Sequence, residues 1–301
     1  MSKHAYLIID SGKNFDQLQT LLNQLDDVRN DIFIHIDKKY KGEIPDLNVK
    51  NSELCLIKNR IPVFWGGISI VECEYLLFET AFNYSDYSYF HLLSGQDLPL
   101  QSQDYIHSFF DKNAGQEFIS FDFYRTNNDK EIMNRFKHYH LFSNYSFKSS
   151  KTLVSNIFIR GFRRIENSIQ TYLKVDREKK SQLKYYYGSQ WVSIDQELVD
   201  YLINNKKLIL SNLMRTNISD ELFVQTVVWN NNYFKNKVYK FKENYENSNL
   251  RYINWNLGRP YTWESKNYDL LKDAIQSGFL FSRKFDSSID NKVILKLINK
   301  R

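Results

Sequence analysis

Proline and glycine are scarce in this chain, four and ten among 301 residues, too few for long linkers. Cysteine is scarcer still. Cys55 and Cys73 stand in no metal or redox spacing, so reduced thiols in a cytosolic protein are expected. No segment approaches the roughly twenty consecutive apolar residues of a membrane span, and the apolar run near the N-terminus is too short for a signal peptide. Dense Lys/Arg blocks are also absent. The 41 basic and 35 acidic residues give +6 without the clustering of a nucleic-acid-binding arm, so no nucleic acid is expected as partner. The mild excess suits anionic small molecules, or loose contact with an anionic membrane surface.

Several catalytic signatures are missing too. There is no G-x-G-x-x-G, no G-x-x-x-x-G-K-[ST], no G-x-S-x-G and no H-E-x-x-H. No Asp lies two residues from another, so the D-x-D pair that holds a divalent metal on a nucleotide-sugar diphosphate has no candidate.

What is present is core material, 42% hydrophobic and 16% aromatic. Residues 4–10 read as a short buried strand, 31–37 as a second and 54–57 as a third. Phe15, Leu18, Leu21, Leu22 and Leu25 mark a helix face between the first two. A helix over 69–82, a strand over 87–94, a helix capped by Ser102 and a strand over 117–121 follow. This alternation predicts an α/β fold, with a mostly parallel central sheet covered by helices on both faces. Ligands of such sheets bind at the carboxyl ends of the strands, which points to Asp10, Asp37 and the turn 94–97. Residues 122–150 are polar and aromatic without clear period. His138 and His140 would share a face if this were a strand, but two histidines do not make a metal site. Residues 151–174 form a basic amphipathic helix carrying Arg160, Arg163 and Arg164, either a solvated surface helix or a membrane-docking one. Residues 185–194 read as a strand interrupted by Gly188, where another backbone or a ligand approaches, and Ser193 as the cap of the next helix. Strands near 238–241 and 251–254, a helix over 268–277 and an apolar stretch over 279–285 complete the reading.

The stretch from Ile218 to Val228 carries the chemistry. Ser219 is a suitable N-cap, which puts Asp220 and Glu221 in the first turn of a helix, where backbone N–H groups and the dipole favour an ionised carboxylate. Such a group can act as general base toward a hydroxyl; it can equally be an ordinary charge-complementing cap.

With these residues in view, the chain resembles glycosyltransferase family 14, the core-2/I-branching N-acetylglucosaminyltransferases and peptide O-xylosyltransferases. The likeness runs from His4 to about Asp286. It rests on His35-Ile-Asp-Lys-Lys39, Trp65-Gly-Gly, His91-Leu-Leu-Ser-Gly-Gln-Asp-Leu-Pro-Leu100, Gly188-Ser-Gln-Trp191, Asp220-Glu-Leu-Phe-Val-Gln-Thr226, Leu250-Arg-Tyr-Ile-Asn-Trp255 and Ser282-Arg-Lys-Phe-Asp286. The resemblance implies a single GT-A type domain over 1–301, with a nucleotide-binding half (1–125) and an acceptor-binding and catalytic half (126–301). It further implies an inverting transfer from a UDP-sugar, with no divalent metal and no other cofactor. On the same basis Glu221 is the expected base. Arg283 and Lys284 are expected to neutralise the leaving pyrophosphate, and Asp37, Trp65, Gln190 and Trp191 to line the donor pocket. Arg135, Tyr139 and Trp255 are expected on the acceptor side. Any of the three tryptophans could instead be core aromatics, and Arg283-Lys284 an exposed pair at a strand end.

Two departures stand out. Gln190 occupies a position that is acidic in the xylosyltransferases, which counts against xylose as donor; N-acetylglucosamine is the leading expectation by family analogy alone. Of the second basic residue that the branching enzymes carry upstream of the Arg-Lys element, only Arg259 is a candidate. No counterpart of the family's secretory anchor and disulfides is expected. A bacterial-type cytoplasmic enzyme of surface polysaccharide synthesis is therefore expected, peripheral to the inner membrane face and acting on a saccharide, lipid-linked or free. The rival reading is a nucleotide-sugar or glycan binder without turnover.

Overall fold

The structure, a computed structural model, describes residues 3–141, 143, 153–181, 183–258 and 261–299, and of 153–160 the backbone alone. Arg259 and the side chain of Arg160 lie outside the described residues.

The chain opens with β1 (His4–Asp10), α1 (Phe15–Leu25), β2 (Asn30–Ile36) and β3 (Glu53–Leu56), then returns through α2 (Ile68–Phe82) to β4 (Tyr89–Ser94). These strands form a sheet in the order β3-β2-β1-β4, all parallel, to which β6 (Ser193–Asp195) adds antiparallel beside β4. Successive side chains of a strand point to opposite faces. Ala5 and Leu7 thus join α2 residues Val71, Leu77 and Phe78 in one core, while Tyr6 and Ile8 join Leu18, Leu21, Leu22 and Leu25 of α1 in another. Both faces are covered, as the unbroken apolar run of β1 implies.

A second, three-stranded sheet pairs β5 (Asp97–Pro99) with β8 (Phe281–Arg283) antiparallel, and β8 with β7 (Arg251–Tyr252) parallel. Arg251 fastens it to the first sheet. Its guanidinium, 3% exposed, donates to the Val192 carbonyl (2.7 Å) and the Ser193 hydroxyl (2.8 Å), and Ser193 Oγ also meets His91 Nδ1 at 2.7 Å. Burial pulls the Arg251 pKa down to about 9, with Asp97 opposing.

The remaining helices are α3 (Gln103–Lys112), capped by Ser102 as expected, then α4 (Phe123–Asn128), α5 (Lys130–Lys137) and α6 (Leu153–Tyr172). After β6 come α7 (Gln196–Asn204), α8 (Lys206–Leu213), α9 (Phe223–Trp229) and α10 (Asn232–Lys237). The last two, α11 (Tyr268–Gln276) and α12 (Ser287–Ile298), flank β8.

Several local expectations are corrected. The strand expected over 117–121 is reduced to isolated bridges, Glu117 with Val238 and Phe118 with Ser193. Of the strand expected over 185–194 only its end enters the sheet. A Cβ on Gly188 would lie 2.0 Å from the Ser120 carbonyl oxygen, so the segment bends closely over that backbone. Ser193 sits inside β6, and the cap of α7 is Asp195, which accepts from the Leu198 amide at 2.9 Å. Residues 122–137, expected to be irregular, hold α4 and α5. Asp122 and Asp129 cap them, and α5 buries only Ile132 and Phe136.

Candidate functional site

Beyond β3 the chain crosses to the other side of β1, so the strand order reverses between β1 and β4, the point at which sheets of this kind place a ligand crevice at the carboxyl ends of the strands. Asp10 closes β1 there. Its Oδ1 accepts from the Gly12 amide at 2.6 Å, and a Cβ on Gly95, after β4, would lie 1.8 Å from its other oxygen. Burial raises the Asp10 pKa, against the Gly12 hydrogen bond. The Asp37 amide donates to the Asp10 carbonyl at 2.8 Å. The Asp37 carboxylate accepts from the amides of Lys39 (2.9 Å) and Val63 (3.2 Å), and Lys39 Nζ lies 3.2 Å away.

The turn after β4 holds the cationic element. Asp97, 1% exposed, accepts from the Ser94 amide (2.7 Å) and hydroxyl (2.9 Å), and its carboxylate lies 3.1 Å from Arg283 Nε. Antiparallel register dictates this pairing, since Asp97 of β5 stands opposite Arg283 of β8. The Arg283 guanidinium lies 4.2 Å from the centre of the Trp191 ring, a cation–π distance. Its pKa is lowered by burial, with Asp97 opposing. Lys284 follows; its amide donates to the Tyr261 carbonyl (3.3 Å) and its carbonyl accepts from the Trp263 amide (2.8 Å). Trp255, 58% exposed, lies just past β7. Because β7 runs parallel to β8, Trp255 leaves its sheet at the same end as Arg283 and Lys284.

Glu221 does not occupy a first helical turn. It ends a 3-10 turn, Ser219–Glu221, and α9 starts only at Phe223. Ser219 is no cap either, because its hydroxyl is 2.9 Å from that of Thr216. Arg135 of α5 takes over the role expected of the helix dipole, donating from Nη1 to Glu221 Oε2 at 2.8 Å. Burial raises the Glu221 pKa, opposed first by the Arg135 charge and then by a hydrogen bond to Tyr187. The result is an oriented, half-buried carboxylate of above-ordinary basicity, suited to accept a proton from a hydroxyl.

Main-chain bonds tie the parts together. Gly188 N donates to the Glu221 carbonyl at 3.0 Å, and Ile218 N to the Gly66 carbonyl at 2.7 Å. The second bond brings the Trp65-Gly-Gly turn, with Trp65 itself 51% exposed, beside the Glu221 turn. From Gly188 to Trp191 is three residues, a reach of at most about 11 Å. The Glu221 turn and the cation stacked on Trp191 thus share one short segment.

Not every expected residue converges on this segment. The Tyr139 ring lies 4.8 Å from the Arg177 guanidinium and its backbone is held by Gln170 of α6, so it belongs to the α5–α6 layer. Gln190 spends one end of its amide on Glu74 Oε1 at 2.7 Å. His138 meets Asn167 (3.2 Å) and His140 the Asn134 carbonyl (2.9 Å), and among the described residues no three His, Cys, Asp or Glu side chains gather as metal ligands would.

Sequence reasoning missed Glu74 beneath the site, and it expected Asp220 to be held ionised in a helical first turn, which the structure corrects. Glu74, 1% exposed, has its pKa pushed well up by burial and by Asp220. Asp220, 4% exposed, is pushed up to about 7 by burial and by Glu221, and its Oδ1 has no partner among the described residues. Glu74 stands at a core position of the α2 period, where only its polarity gave a signal.

Arg135 supplies a first test. Its charge is what lowers the Glu221 pKa against burial. A base works deprotonated, so activity falls as pH drops through that pKa. Arg135→Met removes the lowering charge, and the acidic limb of the kcat–pH profile is expected to move to higher pH. An unmoved limb would separate Glu221 from the rate.

The family model described as Core-2/I-Branching enzyme matches residues 4–279. A xylosyltransferase of Ciona intestinalis is 21% identical over 96% of this chain and 33% of its own length. Xylosyltransferase oxt of Drosophila melanogaster is 21% identical over 97% of this chain and 33% of its own. The chain spans about a third of the length of these curated relatives. Among solved structures, the crystal structure of S. aureus TarS 1-349 is similar over 78% of this chain and 57% of that one, with a TM-score of 0.33 and 11% identity.

Proposed function

We propose, from the premise that the chain belongs to the core-2/I-branching enzyme family of glycosyltransferases, that it moves a sugar from a UDP-sugar to a saccharide hydroxyl with inversion. The observation that carries this is the Glu221 carboxylate held at 2.8 Å by Arg135, on a turn bonded through Gly188 to the segment that places Trp191 against Arg283. In this reading Glu221 takes the acceptor hydroxyl proton as the oxygen attacks the anomeric carbon. The bond from that carbon to the β-phosphate oxygen breaks, and UDP leaves with the electron pair toward Arg283 and Lys284. Asp10, Asp37 and Trp65 frame the nucleotide side, and Arg135 and Trp255 the acceptor side. The mechanism needs no divalent metal, since fixed cations take the charge.

N-acetylglucosamine is the leading donor. Gln190 offers an amide where the xylosyltransferases of the family carry an acid, and UDP-xylose or another UDP-hexose is the alternative. The acceptor is a growing surface glycan, lipid-linked at the inner face of the membrane. UDP release, measured with each UDP-sugar in turn and an oligosaccharide acceptor, tests the reading. Release with UDP-N-acetylglucosamine above the other donors supports it. Tight UDP binding without release under any donor would leave a binding protein.

A further inference from the structure

Helix α6 is amphipathic in the reverse sense from a surface helix. Three of its polar side chains face the protein. Gln170 holds both backbone groups of Tyr139 (2.7 and 2.8 Å), Asn167 meets His138 at 3.2 Å, and Glu166 accepts from the Leu141 amide at 3.2 Å. Several apolar side chains face outward: in α6 Ile165 is 61% exposed, Ile169 53% and Tyr172 86%, and just past its end Leu173 is 64% exposed. At about 100° per residue, positions 165, 169, 172 and 173 fall on one stripe about 100° wide, with 167 on the opposite side and 170 beyond its edge. Contiguous apolar surface of this kind, on an otherwise polar chain, marks a contact site.

The surrounding charge selects the partner. Arg164 on the helix and Lys174, Lys179 and Lys180 in the segment that follows it are all exposed. Two copies meeting through this face would bring like charges together. A surface that is apolar below a layer of negative charge satisfies both halves of the pattern. No described helix is long and apolar enough to cross a membrane, so the contact is one of lying on the surface.

We infer that the outward face of α6 docks on an anionic membrane, with Ile165, Ile169, Tyr172 and Leu173 among the acyl chains and the flanking cations at the headgroups. Because α6 is hydrogen-bonded to Tyr139 and Leu141, just past the helix that carries Arg135, docking would bring the acceptor side of the site to the lipid surface. The inference concerns binding alone and stands apart from the catalytic reading.

The test is co-sedimentation of the full chain with phosphatidylcholine vesicles, with and without phosphatidylglycerol, at low and high salt. Partition onto the anionic vesicles at low salt is expected, weakening with salt and nearly absent on the neutral ones. The double variant Ile169→Glu, Leu173→Glu should partition about tenfold less or worse, from lost apolar insertion and added like charge. Its melting temperature should be unchanged, since neither side chain is buried. No partition at low salt overturns the inference. So does equal partition of the folded double variant, or a dimer seen by light scattering that the same substitutions abolish.

Discussion

Glu221→Gln is expected to lower turnover by about 10²–10⁴ while leaving UDP affinity within about twofold. Glutamine keeps the shape, and its carbonyl oxygen can still accept from Arg135 Nη1 where Oε2 now lies at 2.8 Å. What is lost is the capacity to take a proton. The size follows from the usual contribution of a positioned general base. The measurement is single-turnover transfer at saturating donor and acceptor, with UDP binding by calorimetry as the control for the fold of the site. A glutamine variant turning over near the native rate would reduce the carboxylate to a charge partner of Arg135. A variant that loses UDP binding as well would mean that Glu221 supports the site structurally through the Gly188 bond, and the kinetic loss could not be read as chemistry.

The α/β layering was readable because it lies in local patterns. The apolar run of β1, the Leu18–Leu25 face of α1 and the alternation with α2 and β4 each leave a signal within a dozen residues. The strand ends then pointed to Asp10, Asp37 and Ser94. The partners that shape the site were not readable. Arg135 and Glu221 are 86 positions apart, and Asp97 and Arg283 meet only because β5 and β8 pair. Hydrogen bonds between distant segments leave no period in either one. Glu221 shows the limit from the other side. Ser219 followed by two acids suits a helix start, but Ile218 adopts a left-handed conformation (φ 57°) and its amide is held by Gly66. The turn is shaped by the Trp65-Gly-Gly loop, and the helix is delayed to Phe223. Helix α5 was missed for lack of length, since two buried apolar residues cannot establish a helical period.

Full activity in excess EDTA, and a drop of about 10²–10³ in turnover on Lys284→Ala, are the expected results for the leaving group. A departing UDP gains negative charge on its β-phosphate as the glycosidic bond breaks, and that charge needs a partner already in place. Arg283 brings a planar fork, held by Asp97 and the Trp191 face, and Lys284 a compact charge at the following position. Arginine is the poorer residue to remove. Its Nε is 3.1 Å from a carboxylate that is 1% exposed, and breaking a buried pair costs about 3–5 kcal/mol of stability. Lys284→Ala leaves the Asp97–Arg283 pair in place, and alanine retains the main-chain hydrogen bonds of position 284 to Tyr261 and Trp263. Lys284→Arg should restore part of the rate, since it returns the charge with a different geometry. Added Mn²⁺ should restore nothing, because the sequence offers no D-x-D pair to hold the ion. If EDTA abolishes activity and Mn²⁺ recovers it, fixed charge is not what stabilises the leaving group. Asp37 and Asp97, both at the carboxyl end of the sheet, then become the first ligands to replace.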